Sequence, residues 1–193
     1  MINDMTKGAP LKLLLLFSVP LLIGNIFQQL YNIADIVIVG RTLGMNALAA
    51  VGATSPVFFF LMFVVVGLTN GFAVITGQRF GAKDPVGVRR SVTVSTVLSS
   101  VFTIVFSVLL GLFMNVILGW MNVPREIYKD AFWYIQIVVA GLISANAYNL
   151  LASIVRALGD SKTPLYFLIF ASLLNIVLAL LFILKFGWGV PGS

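Results

Sequence analysis

The sequence predicts an all-α polytopic membrane protein with five transmembrane helices, and three observations lead there. Of 193 residues, 60% are hydrophobic and only 9% are charged, with a mean hydropathy of +1.08, whereas soluble domains run to about 25% charged. The apolar residues gather in five runs, each long enough for a helix to cross a bilayer, which takes about 20 residues and more where the helix tilts. The runs are unbroken, where the strands of a β-barrel would show short alternating segments. They cover about residues 11–39, 47–78, 91–118, 131–155 and 164–186, so residues 1–193 form a single transmembrane lobe.

The first span contains Pro20, which removes a backbone hydrogen bond and predicts a kink. It is too long, and lacks the cleavage site, for a signal peptide with a hydrophobic region of about 7–15 residues. Residues 40–44 read as a turn. The second span holds Pro56, Gly67, Gly71 and Gly77 as weak points, and a basic loop with Arg79, Lys83, Arg89 and Arg90 follows. In the third span Thr96, Ser99, Ser100, Thr103 and Ser107 make a stripe that reads as close helix packing, with hydroxyls bonded to their own backbone. Trp120, Tyr128 and Trp133 suit the membrane interface. In the fourth span Ser144, Asn146, Tyr148, Asn149 and Ser153 fall on two faces. Asn146 and Asn149 should avoid lipid, either lining a cavity or bonding helices together. Pro164 suits the first turn of the fifth helix, which ends near Phe186 with Trp188 just beyond. Asp84 and Asp160 read as turn and cap residues.

Charge orients the lobe. With the N-terminus inside, the inner side holds Lys7, Lys12, Arg79, Lys83, Arg89, Arg90, Arg156 and Lys162, while the outer side holds Arg41, Arg125, Lys129 and Lys185. The positive-inside rule then selects a cytoplasmic N-terminus in a plasma (inner) membrane and an extracytoplasmic C-terminus for five spans. The net charge of +6 therefore describes orientation in the bilayer rather than nucleic-acid binding. The chain has no cysteine and no histidine, which removes thiolate chemistry, the commonest general base and the commonest metal ligand. It has no phosphate-binding loop, no dinucleotide fingerprint and no pair of carboxylates within reach of one another. No enzymatic activity, cofactor or metal site is expected.

The chemistry concentrates on the first span. Asp35 is the one acidic side chain placed within a span, where a carboxylate costs roughly 2.5–3.5 kcal/mol on insertion scales and marks a functional site by default. Asn25, Gln28, Gln29, Tyr31, Asn32 and Asp35 recur at helical spacings, and at about 100° per residue they cover one side of the helix. Such a face needs other helices or a wet cavity to cover it. In the fifth span Asn175 is the one strongly polar residue of the helix interior, either as glue between helices or as part of a site facing Asp35.

Three stretches together, residues 28–53 (QQLYNIADIVIVGRTLGMNALAAVGA), 77–84 (GQRFGAKD) and 155–183 (VRALGDSKTPLYFLIFASLLNIVLALLFI), resemble the multidrug and toxic compound extrusion (MATE) transporters. The resemblance implies the first five helices of an N-terminal six-helix lobe in a twelve-helix transporter. A sixth helix and a C-terminal lobe, or a second copy, would be its partners. It further implies export of small organic cations in exchange for protons or sodium. By the same resemblance Asp35 is the coupling acid, Tyr31 and Asn175 its neighbours, and Pro20 the hinge of the first helix; Gln28 and Asn32 complete the cation-binding face. Many relatives carry a second aspartate where this chain has Ala179. With one carboxylate and one amide, proton coupling is favoured over sodium, which wants a fuller oxygen shell. A lipid-linked saccharide flippase of the same superfamily is the alternative, disfavoured because no Arg or Lys lies mid-span. A lobe that transports nothing by itself is the other.

Overall fold

In the structure, a computed structural model, residues 10–42 and 44–184 are described; the side chains of Pro10, Lys12, Asp35, Thr42, Ala179, Leu180 and residues 182–184 lie outside that description. Lys7, Lys185, Phe186 and Trp188 likewise lie outside the described residues. Five helices follow one another: α1 (Pro10–Thr42), α2 (Met45–Gly81), α3 (Pro85–Trp120), α4 (Arg125–Ala157) and α5 (Lys162–Leu184). Among the described residues, four are long and apolar enough to cross a membrane, and the apolar stretch described in α5, Lys162–Leu178, is shorter. At 1.5 Å per residue, α2 and α3, with 37 and 36 residues, reach roughly 55 Å, well beyond a hydrocarbon core of about 30 Å.

In α3 the extra length comes mainly from first turns that belong to the helix but not to the apolar run, and in α2 from residues at both ends. At α3, Asp84 accepts a 2.8 Å hydrogen bond from the Gly87 N–H and Pro85 presets the first helical residue, so the helix begins six residues ahead of the expected span. A Cβ on Gly87 would collide with the Asp84 carboxylate, so the cap requires glycine there. At α5, Asp160 accepts from the backbone N–H groups of Lys162 and Thr163, each at 3.0 Å, and from the Thr163 hydroxyl at 2.7 Å. Those donors, led by the Thr163 N–H, hold the Asp160 carboxyl down at about 2. Both aspartates are the caps that their sequence contexts predict.

Three helices end alike. After α2, α3 and α4 a residue with positive φ (Lys83 at 56°, Asn122 at 51° and Gly159 at 88°) turns the chain out of the helix. The next N–H reaches back five residues in each case, Asp84 to Arg79, Val123 to Leu118 and Asp160 to Val155, which satisfies carbonyls the helix end leaves open. The turn expected at residues 40–44 is shorter than predicted. Helical hydrogen bonding carries Gly40 and Arg41 into α1, and the reversal falls at Gly44, whose φ of 86° suits glycine.

Two groups of helices emerge. α2, α3 and α4 pack closely on one another, while α1 packs mainly on α5 and touches the rest through thinner contacts. The core of the trio joins Val57, Leu61 and Val65 of α2, Met114 and Leu118 of α3, and Ile135, Val139 and Leu142 of α4. Outside it the molecule is inverted relative to a soluble protein, with residues such as Phe63 at 75% exposure facing outward. The interface residues Trp120 and Trp133 are exposed as well, at 80% and 52%. The seam of α3 changes along its length: Met114 and Leu118 give way to Ser95, Ser99, Thr103 and Ser107, all buried at four-residue intervals. This corrects the predicted stripe in register. Thr96 is exposed and bonds its own helix at Val92, and Ser100 is half-buried, because adjacent residues point about 100° apart and Ser95 takes the inward place.

Candidate functional site

The polar face of α1 is shared between two neighbours. Toward the C-terminal end of α1, the Tyr31 hydroxyl donates to Asn175 Oδ1 at 3.1 Å, joining α1 to α5. Asp35 lies one helical turn beyond Tyr31 on α1, and its side chain lies outside the described residues. Asn32 turns inward on its own helix, its Nδ2 donating to Gln29 Oε1 at 3.1 Å. Nearer the N-terminus, Asn25 and Gln28 line a cavity of about 280 Å³ between the α1–α5 pair and the walls of α2 and α4. Pro20 is buried within the continuous helix α1 and borders the same cavity. The face thus meets a helix at Tyr31 and a polar hollow at Asn25 and Gln28, while Asn25, Gln28 and Gln29 stay exposed in this lobe.

The opposite wall belongs to α4. Tyr148, Asn149 and Arg156 line it. Tyr148 donates to the Pro164 carbonyl at 3.5 Å, tying α4 to α5, and Asn149 Nδ2 donates to its own helix at Ala145 at 2.8 Å. Asn146, by contrast, is buried, and its Nδ2 donates to Ser99 Oγ at 3.4 Å across α3. The alternative left open for the two asparagines therefore resolves both ways: Asn149 borders the cavity and Asn146 bonds helices. Arg156 Nη2 donates to Ser153 Oγ at 2.9 Å, and Ser153 donates to Asn70 Oδ1 at 2.9 Å, so a polar chain fixes the guanidinium against α2.

Sequence reasoning assigned Arg156 to topology alone and missed its place in the cavity wall. A signal was present: Asn149, Ser153 and Arg156 recur at four and three residues, one helical face. Among the described residues, no three His, Cys, Asp or Glu side chains gather as metal ligands would. Together these side chains offer neutral donors and acceptors around one phenol–amide contact, with a single cation at the far end of the cavity.

The MatE family model matches residues 20–181. The chain is 35% identical over 190 residues to the probable multidrug resistance protein YpnP of Bacillus subtilis, covering 98% of this chain and 43% of that one. It is 31% identical over 182 residues to the probable multidrug resistance protein YoeA of the same organism, covering 92% and 39%. It superposes with a TM-score of 0.90 and 31% identity on an outward-facing multidrug resistance MATE transporter of the MOP superfamily, covering 96% of this chain and 41% of that one. Structures of a MATE protein in the straight and the bent conformation match with TM-scores of 0.89 and 0.88. The chain spans about two fifths of the length of these relatives. It belongs to the MatE family, the multidrug and toxic compound extrusion transporters, and corresponds to their N-terminal lobe.

Proposed function

We propose that this lobe serves export of small organic cations in exchange for protons, with Asp35 as the group over which the two compete. The observation that carries the reading is the 3.1 Å bond from Tyr31 to Asn175, which ties α1 to α5 one turn from Asp35. A carboxylate in apolar surroundings holds a proton or a cation, but not both with full affinity, and that exclusion is what antiport requires. Gln28, with Asn25, offers neutral polar groups along the cavity, and Asn32 continues the polar face toward Asp35. Protonation cancels the charge and so frees α1 to bend at Pro20. That relatives have been solved in straight and bent conformations supports a two-state lobe. Proton coupling is favoured over sodium because Ala179 supplies no second carboxylate.

Alternating access needs two bodies rocking about a shared site. The remaining length of the relatives, a sixth helix and a C-terminal lobe, or a second copy of this chain, would supply the other body. The excess of basic residues on one side supports an N-terminus in the cytoplasm and a plasma (inner) membrane location. The test is made on this lobe fused to the C-terminal portion of its Bacillus subtilis relative YpnP. Asp35→Asn should abolish proton-driven efflux of a fluorescent organic cation from loaded vesicles, while Asn32→Ala only weakens it. Undiminished proton-driven efflux in Asp35→Asn would end the proposal.

A further inference from the structure

Arg156 is a cation that lines a polar hollow with no anionic side chain among the described lining residues. It is half-buried, and among the described residues it forms no ion pair. Its one hydrogen bond goes to Ser153, which is itself 3% exposed and anchored on Asn70. The acid nearest in sequence, Asp160, spends its oxygens on Lys162 and Thr163 at the start of α5. A guanidinium carries five N–H donors in a planar fork that matches phosphate, and a half-buried charge calls for acceptors.

The surroundings narrow the ligand. Arg156 is the only charged side chain among those lining the 280 Å³ cavity, and Tyr148, Asn149 and Asn25 add neutral polar groups. Pro20 borders this cavity and also a second, apolar groove of about 510 Å³, formed by Leu11, Leu15, Leu16 and Val19 with Lys162 at its edge. A basic polar hollow that adjoins an apolar groove through one shared residue is the shape of an amphiphile. A free phosphate would use only half of it.

We propose that the cavity between the α1–α5 pair and α4 binds the phosphate of an anionic phospholipid, with Arg156 as its ligand and the Leu11–Val19 groove holding an acyl chain. The binding does not depend on the export reading; only its assignment to the cytoplasmic leaflet rests on the proposed orientation. Bound there, the phosphate cancels the cavity's positive charge, which otherwise repels an organic cation approaching Gln28 and Tyr31.

The test uses the purified chain in neutral detergent, with bound lipid counted by native mass spectrometry. Chain-matched phosphatidylglycerol and diacylglycerol are added separately, and inorganic phosphate serves as competitor. Wild type should retain phosphatidylglycerol roughly tenfold better than Arg156→Gln, the scale of a charge-assisted hydrogen bond. Arg79→Gln, at the exposed α2 end, should leave retention unchanged. Equal retention by Arg156→Gln, or diacylglycerol held as well as phosphatidylglycerol, would overturn the proposal. Displacement by equimolar inorganic phosphate would overturn the lipid assignment and leave an anion site. A measurement on wild type guards against misfolding of the variant: phosphatidylglycerol with a photoreactive acyl chain should cross-link to residues 11–19. Cross-links spread evenly over all exposed helix faces would refute the groove.

Discussion

At Tyr31 a single hydroxyl joins the first helix to the fifth, through Asn175 Oδ1 at 3.1 Å. Hydrogen bonds between membrane helices average about 0.6 kcal/mol in double-mutant cycles, because the unfolded chain in the membrane also finds partners. A cycle of Tyr31→Phe and Asn175→Ala, followed by reversible unfolding in mixed micelles, should therefore return a coupling of about 0.6 kcal/mol. Strict additivity of the two substitutions would mean that the contact contributes nothing. At this scale helical spacing was legible in residue type, while the grouping of Tyr31 with Asn175 came from the family resemblance and not from the spacing. Helical spacing put Tyr31, Gln28 and Asn25 on one face of α1, yet a face does not say which helix covers which part of it. Tyr31 turned out to meet α5, while Asn25 and Gln28 meet the hollow beside α4. Arg156 shows the same limit: a basic residue in a last helical turn reads as an orientation signal, and only packing reveals what its head group faces.

Among the elements, α3 carries the clearest mismatch between pattern and register. Hydroxyl residues stand side by side at 95–96 and 99–100, so the stripe fits two inward phases equally well, and the neighbours of α3 decide between them. The structure selects Ser95, Ser99, Thr103 and Ser107. Ser99 is fully buried against α4, so Ser99→Leu should overpack the seam and destabilise the protein by about 1–3 kcal/mol. Thr96→Leu, on the exposed face, should stay within about 0.5 kcal/mol. The same unfolding assay compares them, and equal effects would show the register to be wrong. The start of α5 gives a prediction in pH. The folded carboxyl of Asp160 sits near 2 against an ordinary 3.8. The cap is therefore fully present above the ordinary value and fades as pH falls through the folded one. Thermal unfolding curves of wild type and Asp160→Ala should differ at pH 5 and converge between about pH 4 and pH 2. Water still reaches this half-buried carboxylate, so the gap should not exceed the usual cap contribution of about 1 kcal/mol. A gap that persists unchanged to pH 2 would count against the cap.

Across the whole molecule, five long apolar runs made the fold class legible, but the partition into a tight trio and a looser pair was not. Lipid-facing surfaces of all five helices read alike, so hydropathy carries no record of who packs on whom. Burial does. α4 buries ten described residues and α2 nine, whereas Pro20, Gly24 and Val39 are the buried residues described in α1. Local opening is cheapest where fewest apolar contacts must break. Amides of α1 and α5 should therefore exchange with deuterium before those in the middle of α2, α3 and α4, by tenfold or more for each ~1.4 kcal/mol of difference in opening free energy. The two outer helices should also open together, because each has the other as its main neighbour and the Tyr31–Asn175 bond spans the pair. Tyr31→Phe should then speed exchange in α5 as well as in α1, and leave the trio unchanged. Exchange measured by mass spectrometry in detergent reads all five helices at once. If α1 closes as firmly as α2, or opens while α5 stays shut, the lobe is one rigid unit or a different pairing, and a hinge at Pro20 loses the mobile helix pair it would need to move.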